Sequence, residues 1–260
     1  HLKTSATLKL RLRALPVLAN LIPMYALIFA LAALAIPPGS GADAKAAVRA
    51  LEARYHHATT LKATFYERYS DGNSGVSAES GTVYFSRPGR MRWEYESPET
   101  KLFIVDGTNV WFYVPADRTA SRARVKDSSD WRTPLALLTG KTDFARLCRT
   151  IDVVDAAADA NEKDKDKEDE RPIAAGDTML RCVPRNESGD ADGEVSEVLI
   201  ESDAEAHLVR LLIRQPGNLE TEFRFGNWQE NLAIPEAKFH FEPPPNVAVV
   251  DETALADSIH

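Results

Sequence analysis

From Leu61 to Pro243 the sequence is a succession of short runs in which apolar and polar residues alternate, separated by turn residues at roughly even spacing. Leu61, Ala63 and Phe65 alternate with Lys62 and Thr64, and Val83 and Phe85 alternate with Thr82 and Tyr84. In the run RMRWEY, Met91, Trp93 and Tyr95 fall on one face and Arg90, Arg92 and Glu94 on the other. A period of two sends successive side chains to opposite faces of an extended chain, so each run predicts a strand with one dry and one wet face. Further strands are expected at 101–106, 109–114, 119–125, 144–154, 178–184, 194–202, 207–214, 219–228 and 237–243. Asp71-Gly72-Asn73, Asp106-Gly107, Pro115-Ala116-Asp117 and Pro216-Gly217-Asn218 supply hairpin turns between them. About eleven antiparallel strands are too many for a flat open sheet, so the pattern predicts one that curls into an incomplete barrel. No βαβ alternation and no GxGxxG loop points to a nucleotide fold.

One helix precedes the strands. Between Asp43 and Thr60 the apolar positions Ala44, Val48, Leu51, Tyr55 and Ala58 recur at spacings of three and four, with Lys45, Arg49, Glu52 and Arg54 between them. A second, shorter helix is written into Trp131–Gly140, where Thr133 suits the N-cap, Pro134 the first helical position and Gly140 the stop. Helices of fewer than ~12 residues are marginal in water, so this one must dock Leu135, Leu137 and Leu138 on something apolar. The concave face of the curled sheet, lined by Phe65, Val83, Phe85, Met91, Trp93 and Tyr95, is the expected seat. The same pattern also fits an ordinary closed core plugged by two helices. Either way the class is mainly β with helices, α+β.

The first forty or so residues read as a secretory leader. Lys3, Lys9, Arg11 and Arg13 precede an apolar block from about Leu15 to Ile36, followed by small residues. Residues 1–42 are assigned to it, with cleavage expected between about Ala35 and Ala44, and 43–260 to a single domain. Pro16 and Pro23 interrupt the block and Pro37 and Pro38 close it, which favours a cleaved leader over a permanent anchor. No cysteine lies near the junction, so no lipid attachment is expected there. Loss of the leader takes the formal charge from −8 to −12. Such a chain lacks the positive field that would hold a polyanion, and nucleic acid is excluded as a partner.

Chemistry-bearing constellations are sparse. The six histidines, His1, His56, His57, His207, His240 and His260, form no recognisable triad, and there is no G-x-S-x-G elbow, so no enzyme is expected. Adjacent His56 and His57 diverge on a helix, which argues for solvated side chains and no metal; no cofactor is expected. The stretch 156–177 contains NEKDKDKEDE, mixed charge without apolar period, and reads as a disordered loop inside a hairpin. Cys148 and Cys182 flank that loop, and the sequence leaves a disulfide and two buried thiols about equally open.

Taken in order, F-x-E-x-Y-S-D-G (65–72), G-T-V-Y-F-S-R-P-G-R-M-R-W-E-Y (81–95), D-G-T-N-V-W-F-Y (106–113), T-P-L-A-L-L (133–138) and K-F-H-F-E-P-P-P-N-V (238–247) resemble the LolA family, periplasmic carriers of outer-membrane lipoproteins. The resemblance covers nearly all of the chain after the leader. It implies an eleven-stranded incomplete barrel whose apolar cavity, here Phe65, Val83, Phe85, Met91, Trp93, Tyr95 and Phe103, receives acyl chains beneath a helical lid at Pro134, Leu135, Leu137 and Leu138. It implies that the Arg before Pro, Arg87, holds that lid shut through backbone carbonyls. The residue pattern agrees, since period two from Val83 and Phe85 carries Arg87 inward, and a guanidinium has five donors to offer orphan carbonyls at a helix end. The implied partners are acylated lipoproteins, an inner-membrane lipoprotein-releasing ABC transporter and an outer-membrane receptor, and a monomer in the periplasm is expected. A lipoprotein-sensing regulatory module of the same fold is the alternative.

Overall fold

The computed structural model describes residues 40–72, 75–125, 138, 144–154, 173–185 and 195–251. Residues 1–39 of the expected leader, the acidic stretch 155–172 and the expected lid residues Pro134, Leu135 and Leu137 lie outside the described residues; Leu138 lies within them, and residues 40–42 already belong to a helix.

Helix α1, Ser40–His56, leads into β1, Thr60–Ser70. Then follow β2 (Val76–Ser86), β3 (Arg90–Ser97), β4 (Lys101–Val105), β5 (Asn109–Val114) and β6 (Thr119–Arg124). A short helix α2, Phe144–Leu147, precedes β7 (Cys148–Val153). β8 (Thr178–Pro184), β9 (Glu197–Ser202), β10 (Leu208–Gln215), β11 (Leu219–Glu230) and β12 (Ala248–Asp251) complete the set. All twelve form one sheet in the order β12-β6-β5-β4-β3-β2-β1-β11-β10-β9-β8-β7, with β12 and β7 as unjoined edges. This is an open half-barrel. It consists of two antiparallel meanders, β1–β6 and β7–β11, joined where β1 lies between β2 and β11. Among the described residues no helix is long and apolar enough to cross a membrane.

Curvature has a local cause at Gly81. The β2–β3 register shifts between Ser80 and Gly81, and a Cβ at Gly81 would stand 1.9 Å from the Glu94 carbonyl oxygen. Only glycine lets the two backbones approach so closely at this bulge, which bends the strand.

Four sequence expectations need correction. Residues 144–147 are not strand: Phe144 N–H donates to Glu52 Oε1 of α1 at 3.0 Å, and this carboxylate satisfies a donor at the start of α2. Residues 237–243 are not strand either. Glu236–Phe239 form a 3-10 turn, and the chain then runs through Pro243, Pro244 and Pro245, which have no N–H to give a ladder. Phe239 and Phe241 are buried as the alternation suggested, but against the outer face of the sheet, where Phe241 lies 5.4 Å from Trp111 and 5.3 Å from Tyr113 between ring centroids. Strand β12 replaces that segment at the edge, pairing parallel to β6 where an antiparallel sheet was expected throughout. The first helix also ends earlier than expected, at His56, because β1 already begins at Thr60.

Cys148 and Cys182 form a disulfide across β7 and β8, with Cα atoms 5.5 Å apart, which resolves the open choice. Ile173, at the end of the acidic stretch, donates its N–H to the Glu201 carboxylate on β9.

Candidate functional site

The inward-facing positions of β1, β2 and β3 alternate without exception through their central residues, so that Phe65, Val83, Phe85, Met91, Trp93 and Tyr95 are all buried, joined by Phe103 from β4. These seven side chains belong to one apolar cluster with Leu51 and Tyr55 of α1, Leu138, and Phe223 and Phe225 of β11. Trp93 sits at its centre. Its ring centroid is 4.7 Å from Phe65, 5.3 Å from Phe223, 6.2 Å from Phe225, 6.3 Å from Phe85 and 6.5 Å from Tyr95. Edge-to-face, tilted and stacked contacts of this kind add about 0.5–1.5 kcal/mol per pair beyond the area they bury. Phe223 and Phe225 escaped the sequence reading as site residues, although they alternate in the run LETEFRF; the missing information was that β11 pairs with β1.

One carboxyl group lies on the same inner face. Glu67 follows Phe65 by two positions on β1, and its Oε2 accepts the Tyr95 hydroxyl proton at 2.8 Å. The pair is buried, and its hydrogen bond offsets part of the cost of withdrawing a carboxyl group from water.

Arg87 stands at the end of β2, two positions beyond the buried Phe85, with its N–H held by the Thr59 carbonyl at 2.9 Å. Its Nε donates to the Leu138 carbonyl at 3.3 Å and its Nη1 to the His56 carbonyl at 3.4 Å. His56 is the last residue of α1, whose final carbonyls have no partner inside the helix. One guanidinium thus bridges the C-terminal end of α1 and the segment that carries Leu138. Partial burial pulls the Arg87 pKa down from the ordinary guanidinium range, a direction that weakens none of this because the group stays charged at any physiological pH. The resemblance implied lid carbonyls as acceptors without singling one out, and the acceptor on α1, a backbone oxygen, has no residue-type signature.

The body of α1 is fastened independently. Tyr55 Oη accepts the Leu208 N–H at 2.8 Å, Arg54 Nη2 pairs with Glu230 at 2.8 Å, and Arg54 Nη1 donates to the Glu205 carbonyl at 2.9 Å. Burial raises the Tyr55 hydroxyl pKa far above its usual value, so the phenol is neutral throughout. Asp203, Glu205 and His207 each bring one potential ligand atom within 4.8 Å of the others. Both ring nitrogens of His207 are engaged, Nδ1 by Asp203 at 2.9 Å and Nε2 by the Arg54 guanidinium, so the cluster serves as part of this fastening.

The site is thus an aromatic inner face of a half-barrel, covered by a helix and bridged at its rim by an arginine. The model of the LolA family, outer membrane lipoprotein carrier protein LolA, matches residues 56–171. The outer-membrane lipoprotein carrier protein of Chromobacterium violaceum is 30% identical over 226 residues, covering 85% of this chain and 95% of that protein. That of Nitrosospira multiformis is 26% identical over 206 residues, covering 79% and 88%. A solved LolA superfamily protein from Nitrosomonas europaea superposes with a TM-score of 0.39 at 8% identity, covering 76% of this chain and 97% of the other, a likeness too slight to argue from. The chain belongs to the LolA family of outer-membrane lipoprotein carrier proteins.

Proposed function

We propose that this protein is a periplasmic carrier, a single domain from about Asp43 onward, that binds the acyl chains of lipoproteins released from the inner membrane and passes them to an outer-membrane receptor. It acts by binding alone, without covalent catalysis. Each methylene drawn out of a bilayer costs about 0.8 kcal/mol, so a multiply acylated lipoprotein cannot cross an aqueous space unless another apolar surface replaces the membrane. Phe65, Val83, Phe85, Met91, Trp93, Tyr95 and Phe103 are that surface in this reading.

The observation that carries the reading is the Arg87 bridge to the Leu138 and His56 carbonyls, just past the end of the strand that carries Val83 and Phe85. A packed interior with a removable clasp has two states: closed over its own side chains, and open around acyl chains. The closed empty state competes with cargo, which permits release without nucleotide. The lid of this proposal is Pro134, Leu135, Leu137 and Leu138, and α1 stays fastened through Tyr55 and Arg54. The cargo comes from a lipoprotein-releasing ABC transporter in the inner membrane.

The test is incubation of the purified protein with inner-membrane vesicles, with a photo-crosslinker at Phe103. A soluble complex crosslinked to acylated lipoprotein, and not to its unacylated form, is expected. Equal capture of both forms, or none, would remove the proposal.

A further inference from the structure

Among the described residues, the Trp93 indole Nε1 is the one donor of the inner-face cluster that is buried without any hydrogen-bond acceptor. The residue is fully shielded from solvent; the rings of Phe65, Phe85, Phe223 and Phe225 around it offer no lone pair, and the stacked Tyr95, whose hydroxyl is turned to Glu67, does not accept from it. Neighbouring polar groups are handled differently. The Tyr95 hydroxyl gives its proton to Glu67, and Trp228, which packs against the same cluster, gives its Nε1 proton to the Leu208 carbonyl at 2.8 Å. Buried indole N–H groups ordinarily find an acceptor, and leaving one unpaired is a standing penalty on the closed form. A phenylalanine would fill the same position without that penalty.

We infer that the Trp93 N–H is a docking point for a carbonyl oxygen of the cargo, the ester carbonyl that joins a fatty acyl chain to its glyceryl group. This rests on the carrier reading above and sharpens it: the interior recognises acyl esters, and not hydrocarbon alone. Position supports the assignment. Trp93 pairs across the ladder with Val83, four strand positions from Arg87, or about 13 Å at the rise of a β-strand. A carbonyl held there leaves the glyceryl group between Trp93 and the rim and sends the hydrocarbon onward past Phe65 and Tyr95. The direction of insertion is thereby set, with the protein end of the cargo at the Arg87 rim. The energetic consequence runs the same way: the unpaired donor weakens the empty closed state and is satisfied in the loaded one, so it biases the exchange toward cargo without adding hydrocarbon contact.

The test compares two probes on the purified protein: a short peptide bearing an S-diacylglyceryl cysteine with two palmitoyl esters, and the same peptide with two hexadecyl ethers, which lack the carbonyls. The wild-type protein is expected to bind the ester probe about tenfold more tightly, equivalent to about 1.4 kcal/mol. Trp93→Phe should bring the ester-to-ether ratio close to one, whatever its absolute affinity. Because that substitution can disturb the ring cluster, the Trp93 indole N–H resonance of the unaltered protein gives a second readout, and it should move downfield with the ester probe only. Equal affinity for both probes with no such movement overturns the inference and leaves the carrier reading standing. Failure of both probes to bind overturns the two together.

Discussion

Replacing Arg87 by Leu tests whether the clasp governs release. The substitution keeps an apolar side chain in contact with the rim but removes both donors, to the Leu138 carbonyl at 3.3 Å and to the His56 carbonyl at 3.4 Å. Hydrogen bonds from charged groups contribute about 1.5–3 kcal/mol when well formed, and these two lie at the long end of the distance range. About 1 kcal/mol each is a fair value, so the closed state loses about 2 kcal/mol, or about thirtyfold in the closed-to-open ratio. α1 keeps its own attachments through Tyr55 and Arg54, so the fold should persist. With the closed empty state weakened, cargo is held more firmly, by up to that same factor if the wild-type protein is mostly closed. The assay loads purified protein with acylated lipoprotein and follows its transfer to acceptor vesicles. Arg87→Leu should load normally and release more slowly, by about one order of magnitude. Release at the wild-type rate, with an unchanged circular dichroism spectrum, would refute the two-state account.

Three further outcomes follow from the scaffold. Gly81→Ala drives a Cβ into the Glu94 carbonyl oxygen, and should cost about 1–3 kcal/mol in urea unfolding as β2 and β3 are forced apart. Removing the Cys148–Cys182 disulfide, which closes a sequence separation of 34, should cost about 3–4 kcal/mol by the loop-entropy relation, read as a lower unfolding midpoint of the double serine variant. In Glu222 and Glu94, burial opposes ionisation, but Arg224 and Arg68 around the first and Lys238 and Arg92 around the second hold both carboxyls below the usual range. Stability from such groups is complete above their unfolded pKa of about 4.3 and is lost as pH falls through the lower folded value. The stability these two carboxylates supply should therefore hold above about pH 5 and be lost below about pH 4, so the acid-side fall in unfolding free energy is steeper in the unaltered protein than in Glu222→Gln.

Much of the fold is legible wherever one face of a strand is dry. NVWFYV and TMLRCVP begin and end where the alternation places them, and the inner face at Val83, Phe85, Met91, Trp93 and Tyr95 is readable because burial on one side enforces period two. The rule misleads where alternation records burial without pairing. Phe239 and Phe241 alternate like strand residues yet lie across the outer face, where a 3-10 turn at Glu236–Phe239 replaces a strand. Strand β12 has three exposed residues in four and so gives almost no pattern, its place being fixed by β6. At the site, Arg87 is legible through its phase with Phe85, whereas the His56 acceptor is a main-chain atom, and the company of Trp93 with Phe223 and Phe225 depends on a pairing between the first and eleventh strands that local sequence does not encode.

That last pairing has a consequence for how the molecule comes into being. β1 matches Leu61 with Glu230 and Ser70 with Glu220, so its second neighbour is supplied only after β2–β10 have been made. Six strands can zip up from nearby hairpins as they emerge, but the wall they build stays unsealed along one margin until residues 219–230 arrive, and contacts of such separation form slowly. Until β11 pairs with β1, the aromatic face of β1–β4 lacks Phe223 and Phe225, so part of its packing waits on a strand made after all the others it touches.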